Sequence, residues 1–182
     1  MRIISGTARG FKLISPKGIE TRPTQDRMKE DLFNILSPKI LGSRFLDLYC
    51  GSGAIGIEAL SRGAAYALFA DKSAEAINAV KANLNKSQLI NNAEIFHMAA
   101  NKIPEVLKGK KFDIIFMDPP YEGDELALSL AVISKESLLS DNGVVVAEGP
   151  AEKDLPEFEG LRLYRQKKYK NIKFDFFERT NK

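Results

Sequence analysis

The sequence is poor in residues that cross-link or ligate. It has one cysteine, one histidine and no tryptophan in 182 residues. A single cysteine excludes a disulfide framework and points to a reducing, cytoplasmic compartment. One histidine leaves no histidine-based metal site, and no metal is expected. No run of 18 apolar residues occurs, so no membrane span is expected. Residues 1–10 lack the apolar stretch of a secretory signal. Thirteen glycines and eight prolines are too few for a collagen-like or low-complexity chain. What is present is a 44% hydrophobic composition, enough for the core of one domain. A chain of this size buries roughly 70% of its unfolded surface.

The net charge of +3 conceals an uneven distribution. Residues 1–44 hold nine Lys/Arg and four Asp/Glu, a balance of +5. Residues 45–150 hold nine and 14, a balance of −5, and residues 151–182 hold nine and six, a balance of +3. Basic ends around an acidic middle suit a polyanion gripped by the ends. Solvated surface lysines are the plainer explanation.

Hydrophobic periodicity organises the chain. Arg2–Ser5 and Phe11–Ile14 read as a small hairpin. Thr24 reads as the cap of a helix that carries Met28, Leu32, Ile35 and Leu36 on one face and stops at Pro38. Strands follow at Phe45–Tyr49, Tyr66–Ala70, Ala93–His97, Phe112–Met117 and Gly143–Ala147. Helices lie between them, at Ala54–Arg62, from Ser73, at Asn101–Lys108 and at Leu126–Leu139. This alternation implies a mostly parallel sheet with helices on both faces. Leu161–Lys168 and Ile172–Glu178 have no helix between them and should pair as an antiparallel hairpin at the sheet's edge. The reading is thus one α/β domain over 1–182, a hairpin-and-helix appendage at 1–40 on a core at 41–182, with a seven-stranded sheet.

The segment Asp47-Leu48-Tyr49-Cys50-Gly51-Ser52-Gly53-Ala54-Ile55-Gly56 follows a strand and opens a helix. Glycines let backbone approach a ligand closely. Gly51, Gly53 and Gly56 match G-x-G-x-x-G, and Asp71 lies 20 residues past Gly51, the spacing of a ribose-binding acid. A dinucleotide enzyme and a ligand-free tight turn both remain open on this loop alone. Asp47 at the strand's end would repel a pyrophosphate and would suit an ammonium.

Asp118-Pro119-Pro120-Tyr121 follows the apolar strand Phe112–Met117. The carboxyl ends of such strands are where open α/β sheets bind ligands, so this turn and the glycine loop should share one crevice. Paired prolines stiffen the turn and leave carbonyl acceptors without N–H donors. Asp118 adds an acceptor-only carboxylate and Tyr121 a flat ring. Together they describe a receptor for an exocyclic amine on a planar base. One amine hydrogen would go to Asp118, the other to the Pro119 carbonyl. Drawn toward a tetrahedral shape, the nitrogen regains a localised lone pair and can attack a methyl group about 3–3.5 Å away. The plainer reading is an Asp-Pro turn after a strand.

The whole chain, both motifs included, resembles the RsmD family. Those S-adenosylmethionine-dependent enzymes methylate N2 of one guanine in bacterial 16S ribosomal RNA. The likeness runs through Met1-Arg2-Ile3-Ile4-Ser5-Gly6, Thr21-Arg22-Pro23-Thr24, Leu46-to-Gly53, Asp118-to-Tyr121 and the Lys167-Lys168-Tyr169 turn. Lys170 stands where the family usually carries glycine. The resemblance implies a Rossmann-like class I methyltransferase. It makes Asp118, Pro119, Pro120 and Tyr121 catalytic. It assigns the cofactor to Asp47, Tyr49, Gly51, Ser52, Gly53, Asp71, Lys72, Met98, Ala99 and Asp118, with Met98 and Ala99 at the adenine. Arg22 to Thr24 would cover the site.

Residues 162–173 carry six basic side chains and no acid, interleaved with Tyr164 and Tyr169. That suits phosphate neutralisation and base stacking. A lysine-rich edge strand that discourages aggregation is the alternative. Arg9, Arg22, Arg27, Lys29, Lys167, Lys168 and Tyr169 are the expected contacts to 16S ribosomal RNA or the assembling small subunit, met by a monomer. A base inside a helix must leave the stack to be methylated. Cys50 reads as packing, His97 as structural, and Glu148 as a residue that could line the crevice. A dehydrogenase, a DNA or protein-glutamine methyltransferase and a non-catalytic RNA-binding module are the rival readings.

Overall fold

The structure, a computed structural model, describes residues 1–15, 23–121 and 123–180. Seven strands form one sheet: β1 Arg44–Leu48, β2 Tyr66–Asp71, β3 Ala93–His97, β4 Phe112–Met117, β5 Leu139–Pro150, β6 Leu161–Lys168 and β7 Ile172–Arg179. Their order is β3-β2-β1-β4-β5-β7-β6. The first five run parallel, and β7 pairs antiparallel with both β5 and β6. The helices are α1 Pro23–Ile40, α2 Ala54–Ser61, α3 Ala74–Lys86, α4 Ile103–Val106 and α5 Glu125–Lys135.

Strand alternation sorts the core into two layers. Phe45, Phe69, Ile114, Phe116, Val144 and Val146 face one side, under α1, α2 and α3. Leu46, Leu68, Ile115, Met117, Val145 and Ala147 face the other, under α4 and α5. Successive side chains of a strand point to opposite faces, so an all-apolar strand demands helices on both. Helix α3 shows the local logic. Ser73 caps it by accepting the Ala76 N–H, Glu75 and Lys86 complement its dipole, and Val80 and Leu84 are fully buried.

Four expectations need correction. Pro38 does not end α1, which runs on to Ile40. The N–H that proline lacks would have bonded the Asn34 carbonyl, and the Ser37 hydroxyl takes that acceptor at 3.0 Å. Thr24 lies inside α1, not before it. Helix α5 stops at Lys135 because Ser137 adopts a left-handed backbone, φ 50°. Leu138 and Leu139 continue the helical phase but belong to the sheet: Leu138 accepts from Phe112 N, and Leu139 begins a β5 longer than expected. At the amino terminus the hairpin is reduced to one antiparallel bridge, Arg2 with Lys12.

A buried ionic hub fastens that segment to the core. Glu58 of α2 is fully buried. It accepts from the backbone N–H of Ile4 at 2.8 Å and of Ser5 at 3.0 Å, and it pairs with Lys29 at 3.0 Å and Arg62 at 2.7 Å. Burial pulls the Lys29 ammonium pKa down, against the upward pull of Glu58. Asn83 of α3 makes the second tie. Its amide accepts from Ile14 N and donates to Ile14 O, both at 2.8 Å, and donates to Ser52 O at 2.9 Å. Glu58→Ala would strand the Lys29 charge and two backbone donors, so chemical denaturation should show a loss of about 3–5 kcal/mol. A loss below 1 kcal/mol would mean that the hub is dispensable.

Candidate active site

The functional residues gather at the carboxyl ends of β1, β2 and β4. Strand order diverges there, since β1 is flanked by β2 on one side and β4 on the other. That is where open α/β sheets hold ligands.

The glycine loop is built by three hydrogen bonds from outside it and within it. Gly51 N donates to Asp71 Oδ2 at 2.9 Å, Cys50 N to Ala70 O at 3.2 Å, and Gly53 N to Cys50 O at 2.7 Å. Asp71 Oδ1 also accepts from Ser73 N at 2.8 Å. Gly51 has φ 52°, and a Cβ there would meet no atom within 4 Å, so its backbone faces open space. Gly56 serves a different end. A Cβ there would lie 2.4 Å from the Phe69 ring, so only glycine lets α2 lie this close to β2.

Asp47 does not face the crevice as expected. It is buried, and its carboxylate accepts from Gly56 N at 2.8 Å. The helix start engages one of its two oxygens, Oδ2. Burial, opposed by the Gly56 bond, pushes its pKa up to about 8. Ser52 is also buried, with its carbonyl held by Asn83. Gly51, Ser52 and Gly53 therefore shape the loop beside the cavity, and none of them is among the residues that line it.

A cavity of about 510 Å³ runs from the loop toward α5. Tyr49, Asp71, Lys72, Met98, Ala99 and Ser129 are among its walls. Tyr49 takes a left-handed backbone, φ 59°, and its hydroxyl lies 2.8 Å from Ser129 Oγ. A second hollow of about 360 Å³ is bounded by Asp118, Pro119, Pro120 and Tyr121 and shares Tyr49, Asp71 and Lys72 with the first. The two compartments are therefore contiguous. The first suits S-adenosylmethionine in size and lining. Asp71 can still accept a ribose hydroxyl, because each engaged carboxylate oxygen keeps a second lone pair. Met98 and Ala99 offer an apolar wall for adenine.

Beside the second hollow, the register of Met117 with Ala147 sets Asp118, the first residue past β4, next to Glu148, which stays within β5. Tyr121 donates its hydroxyl to Glu148 Oε1 at 3.1 Å. The Tyr121 ring is 45% exposed, leaving a face for stacking. Packed protein pushes the Asp118 carboxyl well above the usual range, and Glu148 and Asp47 push it further. Asp118 nevertheless keeps an exposed edge at the mouth of the hollow. Burial raises Glu148 to about 6 against the Tyr121 bond. The same surroundings raise the Tyr121 phenol, so it stays protonated and donates.

The expected RNA contacts divide. Arg9, Arg27 and Lys168 are exposed. Lys167 is half-buried, 3.8 Å from Asp31 and over the Tyr169 ring. Tyr169 donates to Asp31 of α1 at 3.1 Å, which joins the carboxyl-terminal basic turn to the amino-terminal helix. Lys29 leaves the set, because it is buried against Glu58 and donates to the Arg2 carbonyl. Lys173 is likewise buried, between Asp154 at 3.2 Å and Asp175 at 3.3 Å. Arg162 pairs with Glu178. Arg22 lies outside the described residues.

Other candidates resolve simply. Cys50 is buried, and burial holds its thiol well above the usual range, so it is no nucleophile. His97 bonds the Lys72 carbonyl at 2.9 Å. Among the described residues no group of three metal-ligating side chains occurs, and no helix is long and apolar enough to cross a membrane. Ser129 and Asn83 were not foreseen, since neither lies in a motif and each acts through contacts made only on folding.

A parallel sheet with an antiparallel β7, a glycine loop after β1 and an acidic, proline-rich turn after β4 define a Rossmann-like class I methyltransferase. Comparison with known proteins narrows the class. A family model described as "Conserved hypothetical protein 95" matches residues 1–178. Ribosomal RNA small subunit methyltransferase D of Escherichia coli (strain K12) is 32% identical over 180 residues, 98% of this chain and 90% of that one. YlbH of Bacillus subtilis (strain 168) is 40% identical over 172 residues, 93% of this chain and 94% of its own. The solved structure of yhhF from Escherichia coli matches with a TM-score of 0.88 at 33% identity, covering 98% of this chain and 97% of that chain. The chain belongs to the RsmD family.

Asp118 must be ionised to offset the positive charge that develops on the attacking amine nitrogen and to take its proton. Its raised pKa predicts that kcat/KM climbs with pH along an acid limb displaced upward from the ordinary carboxylate range. The limb reports the Asp118–Glu148 pair together. Glu148→Gln removes a neighbouring negative charge, so the limb should move to lower pH. A limb that stays in place would show that Glu148 does not act on Asp118.

Proposed function

We propose that this protein transfers the methyl group of S-adenosylmethionine to the exocyclic N2 of a guanine in small-subunit ribosomal RNA. The observation that carries this reading is the contact between the two compartments. The hollow bounded by Asp118 to Tyr121 shares Tyr49, Asp71 and Lys72 with the larger cavity. A base in the first would abut a cofactor in the second.

S-adenosylmethionine, when bound, supplies an electrophilic methyl carbon on a sulfonium centre. Asp71 holds the ribose, Met98 and Ala99 wall the adenine, and Gly51 leaves room beside the loop. Asp118 and the Pro119 carbonyl accept the two amine hydrogens, and the Tyr121 ring carries the base. These contacts localise the nitrogen lone pair and fix its direction. The Asp118 carboxylate offsets the positive charge that develops on nitrogen and lies within reach of the departing proton.

The guanine reaches this hollow only when turned out of its stack. Arg9, Arg27, Lys168 and Tyr169 grip the flanking phosphates and bases of 16S ribosomal RNA, bare or within the assembling subunit. The enzyme works as a cytoplasmic monomer, one domain in which residues 1–40 are an appendage of the catalytic core. The Tyr169–Asp31 contact supports the RNA grip, since it holds the carboxyl-terminal basic turn against the amino-terminal helix.

Asp118→Ala separates this reading from that of a non-catalytic RNA-binding module. Turnover should fall about 100- to 1000-fold. S-adenosylhomocysteine affinity, measured by calorimetry, should change little. A variant with unchanged turnover would contradict the mechanism.

A further inference from the structure

Glu148 is a half-buried carboxylate inside β5, between buried Ala147 and Gly149 and paired with Phe174 of β7. Val144, Val145, Val146 and Ala147 before it are buried core. Glu148 follows them in β5, one position past the Met117–Ala147 pair, and so lies beside Asp118 where β4 ends. Two carboxylates set side by side and partly dehydrated oppose each other, so the arrangement costs stability. Such costs collect at sites that use them.

One of its oxygens is already committed. Oε1 accepts from the Tyr121 hydroxyl, while Oε2 takes no hydrogen bond among the described residues. The Tyr121 bond thus does two things. It fixes the ring on which a base would lie, and it fixes the carboxylate beside that ring.

The edge of guanine that bears the 2-amine presents three donor hydrogens in a row: two on N2 and one on N1. Asp118 and the Pro119 carbonyl account for two of them. We propose that Glu148 is a specificity-determining residue whose second oxygen accepts the guanine N1–H, completing three acceptors for three donors. This inference rests on the guanine-N2 reading above and deepens it. A carboxylate facing N1 also repels a base whose N1 is bare and carries a lone pair, as adenine does. The site would then select guanine by attraction and reject its rivals by repulsion. A burial-raised pKa of about 6 leaves Glu148 mostly ionised at neutral pH, the acceptor form the role requires.

The test pairs the residue with the base. Small-subunit RNA is prepared with guanine or 2-aminopurine at the methylated position, by splinted ligation of a synthetic segment, and is assembled with subunit proteins. 2-Aminopurine keeps the 2-amine but presents a bare N1. Methyl transfer from labelled S-adenosylmethionine is measured for the wild type, Glu148→Gln and Glu148→Ala. Each protein is checked for S-adenosylhomocysteine binding.

The wild type should prefer guanine by at least about 10-fold. Glu148→Gln, whose amide can donate to a bare N1, should shrink that preference by about 10-fold. Glu148→Ala should slow guanine more than 2-aminopurine. Glutamine is isosteric with glutamate, so its arm decides the matter even where alanine unfolds the protein. A preference unchanged in the glutamine variant overturns the inference. Equal slowing of both bases also overturns it, because Glu148 would then serve only to hold Tyr121. A wild type that binds S-adenosylhomocysteine but labels neither RNA overturns the guanine-N2 reading itself. That failure shows in the wild-type arm alone and is not confused with the others.

Discussion

Helix α2 lies against strand β2 with no room for a side chain at Gly56. An added Cβ would stand 2.4 Å from the fully buried Phe69 ring and 3.0 Å from Asp47 Oδ2. That close approach sets the direction of α2, and with it the path of the loop that precedes it. Asp47 then finds the Gly56 N–H within hydrogen-bond reach and turns inward. Gly51, one turn earlier, is left facing open space and is held there by Asp71. The cavity beside the loop, and the hollow that adjoins it, follow from this packing. The glycine triplet therefore acts in two ways: Gly56 through packing, Gly51 through access.

The amino-terminal segment is part of the same construction. Glu58 sits on α2, and its carboxylate gathers Ile4, Ser5, Lys29 and Arg62. Asn83 ties Ile14 to the Ser52 carbonyl of the glycine loop. Residues 4, 5 and 14 are thus connected by short bonds to α2, α3 and, through Asn83, the glycine loop. On the same face of the sheet, Tyr169 docks the β6–β7 turn on Asp31 of α1. That contact brings the basic turn at residues 167–170 against the amino-terminal helix.

Much of this was legible in the chain. The bounds of β3, β4 and β6 were readable to the residue, because each is a short apolar or alternating run ended by strong turn signals. The motif after β4 and the loop after β1 announced a shared crevice, and the structure brings them together. Legibility failed where local pattern and tertiary contact disagree. Leu138 and Leu139 keep helical phase but pair with β4. Pro38 looks like a stop, yet the Ser37 hydroxyl takes the acceptor it leaves. Lys29 and Lys173 read as surface charge, because their partners Glu58, Asp154 and Asp175 adjoin them only in the folded chain. The Asp47 contact with the Gly56 N–H joins residues nine apart and is spelled out by no motif.

The central claim is that the crevice methylates a guanine amine of small-subunit ribosomal RNA. Nucleoside mass spectrometry tests it most directly. The protein is incubated with labelled S-adenosylmethionine and unmethylated small-subunit particles, with naked ribosomal RNA in parallel. The account predicts labelled N2-methylguanosine in at least one of the two substrates. A bound cofactor with no methylated guanosine in either would contradict it and move the substrate to another amine.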